Sequence, residues 1–142
     1  MIYQTKPYPE KLYDTAVRND PKSWGWFNAH DPSIFKDGDT YYVLSTDTDI
    51  ERVCAGVQIR KSKDLINWTF VGQALDGVPA AAYEWTGAKG LWAPDLIKVG
   101  DTYYLYYCAS QFGKNRSFIG CATSKSIAGP WEDQGEVIKT DY

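Results

Sequence analysis

The stretch KDGDTYYVL at residues 36–44 returns as KVGDTYYLY at residues 98–106, which is 62 residues further along the chain. Upstream, Pro32 precedes the first copy and Pro94 precedes the second at the same spacing. The downstream landmarks are Ser62-Lys63 with Ser124-Lys125, and Trp68 with Trp131 after one inserted residue. Several landmarks in one register indicate an internal repeat, and a repeat of this kind decides the architecture before any single element is assigned.

Each copy of the repeat has the pattern of consecutive short strands. In the first copy, residues 32–35 form a brief apolar strand, and Asp37-Gly38-Asp39 is a hairpin turn of the Asp-Gly type. Residues 40–45 alternate aromatic and aliphatic side chains, and further strands are predicted at 57–62 and 68–71. The second copy repeats this plan after a turn at Gly100-Asp101, over residues 102–109, 118–123 and the Trp131 region. No segment shows helical periodicity over a useful length.

A four-stranded unit that repeats at this interval is typical of a β-propeller blade. The sequence therefore predicts an all-β fold in which residues 28–142 form about two blades. Residues 1–27 are predicted to be a lead-in that either closes the ring or borders the cleft. A propeller closes with at least about four blades, so two blades alone would leave apolar faces open to water. We therefore expect a missing remainder of the protein, a partner chain that completes the propeller, or self-association, and the first is preferred.

Composition and charge exclude several classes of partner. The net charge is −3 and no run of Lys and Arg forms a basic stripe, which argues against nucleic acid. No apolar stretch is long enough to span a bilayer or to act as a leader, so we expect either a cytoplasmic protein or one whose leader was removed. The cysteines, Cys54, Cys108 and Cys121, lack metal-ligand spacing and are predicted to be reduced, with Cys108 and Cys121 as candidate cross-strand neighbours.

One carboxylate breaks the repeat. When the two copies are superposed, Asp31 falls where the second copy has Ala93. The innermost strand of a blade faces the central channel, so this position directs a carboxylate towards the axis. A scaffold has no evident need for a charge there, and the mismatch indicates chemistry at Asp31. The alternative is an Asp that caps a turn ahead of Pro32.

Five ordered motifs resemble glycoside hydrolase family 43. They are HDPSI (30–34), GDTYYVLST (38–46), GVQIRKSKDLINW (56–68), LWAPDLIKVGDTYYLYY (91–107) and FGKNRSFIG (112–120). The His-Asp-Pro opening and the Phe-Gly-Lys-Asn loop are similar to those of its endo-1,5-α-L-arabinanase branch. The resemblance covers about residues 28–138. It implies a β-propeller of the five-bladed glycosidase type that hydrolyses α-1,5-linked L-arabinan with inversion.

The resemblance also implies the catalytic roles. Asp31 matches the general base, which activates the attacking water. The second Asp of the family lies in the third blade and its general-acid Glu in the fourth, and neither motif occurs in this chain. Asp141 falls too early in the repeat to serve as the second Asp. Because acid and base are each worth about 10²–10⁴-fold in rate, we expect this chain alone to be nearly inactive.

Three further residues are predicted to contact substrate. By resemblance, Trp92 and Phe112 line the cleft, where an aromatic face can stack on an arabinofuranose ring, and His30 lies beside the base. A structural histidine and a tryptophan buried between blades are the alternatives for His30 and Trp92. We assign Trp68 and Trp131 to packing. No metal site and no cofactor are predicted from this chain, although the full family fold allows a channel cation such as calcium with its ligands on other blades.

Other functions remain open at this level. The chain is alternatively a non-catalytic remnant that binds arabino-oligosaccharide, or an assembly subunit whose open faces dock on a second polypeptide. Within the family, β-xylosidase and α-L-arabinofuranosidase activities are the alternative reactions. Sugar release, oligosaccharide binding without turnover, and subunit size in solution distinguish these readings.

Overall fold

A computed structural model of the chain describes residues 29–47, 49–50, 52–53 and 55–141. The predicted lead-in over residues 1–27 and the predicted thiol of Cys54 lie outside the described residues. The described part consists mainly of antiparallel strands. In chain order the elements are β1 (Ser33–Asp37), β2 (Thr40–Ser45), β3 (Asp49–Ile50), β4 (Arg52–Val53), β5 (Gln58–Ser62), β6 (Thr69–Gln73), α1 (Ala80–Thr86), β7 (Trp92–Val99), β8 (Thr102–Ser110), β9 (Ser117–Ser124) and β10 (Glu132–Lys139).

The strands form two four-stranded sheets. Blade 1 has the strand order β1-β2-β5-β6, and blade 2 has the order β7-β8-β9-β10, with every neighbouring pair antiparallel. The short strands β3 and β4 pair with each other between β2 and β5. The prediction of two four-stranded repeat units is confirmed.

Strand pairing follows the internal repeat. Tyr41 pairs with Ser62 in blade 1, as Tyr103 pairs with Ser124 in blade 2. The pairing of the last two strands is displaced by one residue between the blades, as the insertion before the second tryptophan predicts. Pairing register is set by which face of a strand is buried. The shared apolar pattern of the two copies therefore produces the shared register.

The apolar core draws on both blades. Leu44 and Ile59 of blade 1 and Leu105 of blade 2 belong to one buried cluster, and each is at most 1% exposed. Phe35 and Tyr103 meet edge to face across the blades, with ring centroids 5.8 Å apart. Each fully buried aliphatic side chain contributes roughly 1.5–3 kcal/mol to the free energy of unfolding. The two blades are thus held together by packing of their first two or three strands.

One element was not predicted from the sequence. Helix α1 connects the blades and begins after Pro79, which fits a helix start. It ends at Gly87, whose φ of 67° is the left-handed conformation common after a helix. With seven residues the helix is too short for periodicity to reveal it, but Ala82 and Thr86 do share one buried face.

The two repeated tryptophans differ in burial. Trp131 packs against the core, and its indole N–H donates to the Ile127 carbonyl at 3.0 Å. Trp68 is 36% exposed and donates to the Leu65 carbonyl at 3.3 Å. The assignment of Trp68 to the core was wrong, because its side chain lies next to β6, the edge strand of blade 1, and blade 1 lacks the residue that is inserted before Trp131 in blade 2.

The described cysteines are free thiols. Cys108 pairs with Ile119 and Cys121 pairs with Tyr106, so the two are not directly opposite each other on neighbouring strands. Burial raises the pKa of both thiols, which favours the protonated form. Among the residues that the structure describes, no helix is long and apolar enough to cross a membrane.

Candidate functional site

Asp31 lies at the start of blade 1 in an unusual backbone conformation. Its φ is 47°, and Ala93, the matching residue of blade 2, has a φ of 41°. A left-handed conformation costs a non-glycine residue roughly 1–2 kcal/mol, with Asp among the more tolerant residues. A left-handed residue therefore occurs near the start of the first strand in both blades. Asp31 lies before β1 and Ala93 lies in the register shift of β7 (Trp92–Val99), which supports the equivalence of the two positions. Only blade 1 places a carboxylate there, and the side chain is exposed.

Thr46 joins Asp31 to blade 2. Its hydroxyl donates to Asp31 Oδ2 at 2.8 Å and accepts from the Ala93 amide at 2.8 Å. The Thr46 amide in turn donates to the His30 carbonyl at 3.0 Å. Sequence reasoning missed Thr46, because a contact across 47 residues leaves no local pattern. The available signal was a polar residue at a position where the second copy has Cys108.

Asp47 fixes the entry into blade 2. Its carboxylate accepts the amides of Leu91 at 2.6 Å, Gly56 at 2.8 Å and Val57 at 2.8 Å. The Asp47 amide donates to the Leu91 carbonyl at 2.9 Å, so the two residues bond in both directions. Burial raises the pKa of Asp47 to about 6, and the amide hydrogen bonds oppose that rise. This residue was also missed by sequence reasoning.

The first strands of the two blades touch through a second polar pair. Ser33 Oγ donates to Asp95 Oδ1 at 3.0 Å. These residues occupy the same repeat position in their respective blades. Asp95 therefore contributes to the contact between the blades.

Trp92 and Phe112 form an aromatic pair. Their ring centroids lie 4.9 Å apart, with the rings inclined by 37°. Phe112 is 94% exposed, whereas Trp92 is half-buried. The loop that carries Phe112 is held at one end by Gln111, whose amide donates to the Gly87 carbonyl. An exposed aromatic side chain on a fixed loop is suited to stacking against a sugar ring.

The structure links three of the four predicted site residues to one another. Asp31 and Trp92 are linked because the Thr46 hydroxyl bonds both the Asp31 carboxylate and the amide next to Trp92. Phe112 joins them through its contact with Trp92. His30 is exposed, and only its backbone carbonyl takes part in this network among the described residues. The proposed contact of the His30 side chain with substrate remains a prediction.

This arrangement links the exposed Asp31 carboxylate by hydrogen bonds to the strand that carries Trp92 of the aromatic pair. No described residue donates to Asp31 Oδ1, so that oxygen can accept a hydrogen bond from water. Within the described ranges, no group of three or more potential metal ligands occurs. The absence of a cofactor and the channel cation of the full fold both remain predictions.

The comparisons with known proteins agree in one family. The profile of glycosyl hydrolases family 43 matches residues 27–142. An extracellular endo-α-(1→5)-L-arabinanase of Bacillus subtilis is 36% identical over 91% of this chain, which spans 41% of that protein. An extracellular exo-α-(1→5)-L-arabinofuranosidase of Cellvibrio japonicus is 38% identical over 80% of this chain and 33% of its own length. The chain thus spans about a third to two-fifths of these relatives.

Solved structures extend the similarity to the fold. The Cellvibrio cellulosa α-L-arabinanase complexed with arabinohexaose matches 80% of this chain and 36% of that chain, at 36% identity and a TM-score of 0.70. The native Bacillus subtilis arabinanase matches 79% of this chain and 38% of its own, at 34% identity and a TM-score of 0.70. The two sheets are accordingly two blades of a β-propeller, and the chain belongs to glycosyl hydrolases family 43.

Proposed function

We propose that this chain provides the general base and part of the substrate cleft of a glycoside hydrolase that cleaves α-1,5-linked L-arabinan with inversion. The observation that supports this most strongly is the position of Asp31. Its carboxylate is exposed and is linked through Thr46 to the blade that carries the Trp92 and Phe112 rings. Inverting glycoside hydrolysis requires a carboxylate base paired with a carboxylic acid, and Asp31 is proposed to supply the base, with the aromatic rings holding the sugar.

The proposed step involves one water and one glycosidic bond. Asp31 Oδ1 accepts a proton as the water oxygen bonds to the anomeric carbon, and the bond to the leaving oxygen breaks. A general acid protonates that leaving oxygen, about 6.5–9.5 Å from the base in inverting enzymes. We propose that this acid comes from outside the described residues, since none of their carboxylates matches the family's acid motif. Without it, cleavage of arabinan is expected to be very slow.

The substrate class follows from the aromatic surface and from the relatives. Furanose rings are neutral, and their C–H faces pack against aromatic rings without charge pairing. The Bacillus subtilis relative is described as an endo-arabinanase, and the Cellvibrio cellulosa structure holds arabinohexaose. Linear arabino-oligosaccharide is therefore the proposed ligand of the Trp92 and Phe112 surface.

The first test uses two substrates that differ in their need for an acid. Debranched arabinan needs a protonated leaving group, whereas a dinitrophenyl α-L-arabinobioside releases a stable phenolate without one. We expect the purified protein to hydrolyse the aryl substrate, and Asp31→Asn to lower that rate by about 10²–10⁴-fold. The matched control is Asp95→Asn, the same change on the first strand of blade 2, which should keep the rate within a few-fold. Equal activity of Asp31→Asn and wild type would reject Asp31 as the base.

Binding without turnover is the second candidate function. It is favoured by the exposure of Phe112, because a stacking surface works without any acid or base. Calorimetry with arabinohexaose and with a xylo-oligosaccharide of equal length separates the cases. Binding of arabinohexaose that is lost in Phe112→Ala, with no hydrolysis of either substrate, would support a binding module. Preference for the xylo-oligosaccharide would instead support the β-xylosidase branch.

A further inference from the structure

We infer that Thr46 is a positioning residue that orients the Asp31 carboxylate for proton abstraction and holds it in register with the Trp92 side of the cleft. This inference rests on the proposed function. It assigns a task to the last residue of the GDTYYVLST motif, for which the sequence alone indicated no role. The contacts that carry it are the two 2.8 Å hydrogen bonds of the Thr46 hydroxyl.

The direction of the Thr46 hydroxyl is fixed by its partners. The Ala93 amide can only donate, so the hydroxyl oxygen must accept at that contact. The single hydroxyl proton is then left for the other short contact, which is Asp31 Oδ2. One carboxylate oxygen is thus occupied by a donor of defined direction. The other oxygen, Oδ1, receives no hydrogen bond from the described residues and can accept one from water.

The backbone around Thr46 makes this contact rigid. The Thr46 amide bonds the His30 carbonyl, and the next residue, Asp47, bonds Leu91 in both directions. Thr46 is therefore fixed to the chain just before Asp31 and to the chain just before Trp92. Misplacing a catalytic group by about 1 Å can cost about 10²-fold in rate. A hydroxyl that spans two blades is a direct means of preventing such a displacement.

Blade 2 provides an internal contrast. The residue that matches Thr46 there is Cys108, and the residue that matches Asp31 is Ala93. Cys108 pairs with Trp92 as part of the β7–β8 ladder. The shared fold of the two blades therefore does not require a hydroxyl at this position. The hydroxyl occurs in the blade that has the carboxylate.

The test compares two variants at Thr46. Thr46→Val keeps the shape but removes the hydroxyl, and Thr46→Ser keeps the hydroxyl. On the aryl arabinobioside we expect Thr46→Val to lower kcat by about 10–100-fold with little change in KM, while Thr46→Ser stays within about threefold of wild type. The matched control is Thr123→Val, which removes a hydroxyl bonded only to Gln134 among the described residues. This control should keep the wild-type rate.

A double-mutant cycle distinguishes positioning from a structural role. If Thr46 acts through Asp31, Thr46→Val should change the residual rate of Asp31→Asn by less than about threefold. Equal losses in the wild-type and Asp31→Asn backgrounds would overturn the inference, as would an inactive Thr46→Ser that remains folded. If the wild-type protein hydrolyses neither substrate, the proposed function fails. Crystal structures of the two variants then decide the geometry: an Asp31 carboxylate that stays in place in Thr46→Val overturns the positioning role.

Discussion

Blade 1 and blade 2 have the same strand pairing but differ where the second strand ends. In blade 1 the second strand stops at Ser45, and Thr46 turns away to bond Asp31 and blade 2. In blade 2 the second strand continues to Ser110 and leads into the loop that carries Phe112. The sheets thus repeat a scaffold, while the strand ends hold the residues that differ between the blades.

The same contrast appears inside the sheets. Ser45 pairs with Gln58 in blade 1, and Tyr107 pairs with Gly120 at the matching positions of blade 2. The large and small members of the pair have exchanged strands. All three side chains are almost fully buried. A repeat therefore conserves backbone register and total volume at this layer, while individual residues change freely.

The largest effect is expected from Gly120→Ala, which enlarges the small member of the Tyr107–Gly120 pair. The added methyl group would lie 2.2 Å from the Tyr107 ring. That ring has no room to move, since it is 1% exposed and its hydroxyl donates to Asp133 at 2.6 Å. We expect the free energy of unfolding to fall by about 3 kcal/mol in urea titrations. In a Tyr107→Ser background the same change should cost less than about 1 kcal/mol, and equal costs in both backgrounds would contradict the packing argument.

A smaller effect is expected from the pH dependence of Asp47, which blade 2 lacks because Ala109 stands there. The folded-state pKa is raised from 3.8 to about 6, so between these values the folded protein keeps a proton that the unfolded chain releases. Stability from this group is therefore lost as the pH rises through that window. Relative to Asp47→Asn, the wild-type free energy of unfolding should fall by about 2 kcal/mol between about pH 4 and pH 6.

Asp64 is a control whose contribution to stability changes with pH in the opposite direction. It is exposed, and hydrogen bonds from Asn67 lead the causes that lower its pKa. Its stabilising contribution is therefore present above its unfolded-state pKa and is lost as the pH falls through the acid range. Relative to Asp64→Asn, the wild-type free energy of unfolding in urea titrations should therefore fall as the pH falls through the acid range. If wild type and Asp47→Asn lose stability in parallel from pH 4 to 6, Asp47 is not the group responsible.

These cases show why the sequence predicted some features and missed others. The blades were predictable because strand register depends on the local alternation of apolar and polar residues. The alternation in KDGDTYYVL returns 62 residues later in KVGDTYYLY, and the two segments pair in the same way. Asp31 was predictable as a departure from Ala93 within that repeat. Thr46 and Asp47 were not, because they act by bonding backbone groups at Leu91 and Ala93, far along the chain. Such bonds depend on tertiary placement, which no local pattern encodes.

The third prediction concerns the tryptophan that both repeats share. Trp131 packs against the core, whereas Trp68 is 36% exposed. We expect Trp131→Ala to lower the free energy of unfolding by about 2 kcal/mol and Trp68→Ala by about 1 kcal/mol. Thermal unfolding followed by circular dichroism measures both. Equal losses would mean that Trp68 is buried in solution, as the repeat alone predicts.

The smallest effect is expected at the turn that begins each blade. Ala93 has a φ of 41°, so Ala93→Gly relieves a left-handed strain of roughly 1–2 kcal/mol while adding roughly 0.5–1 kcal/mol of chain entropy cost. A net stabilisation of about 0.5 kcal/mol should appear in urea titrations. Ala109→Gly, inside β8, is the matched control and should destabilise by about 1 kcal/mol.

A loss of stability in Ala93→Gly similar to that in Ala109→Gly would show that the left-handed turn is absent in solution. The equivalence of Asp31 and Ala93 would then lose its backbone support. A net stabilisation by Ala93→Gly would instead support the left-handed conformation at this position. In blade 2 the left-handed residue contributes only its backbone amide, which donates to Thr46, and a glycine at position 93 keeps that donor. Blade 1 has the same left-handed conformation at Asp31, whose carboxylate is proposed to act as the base, so a glycine there would remove the carboxylate together with the strain.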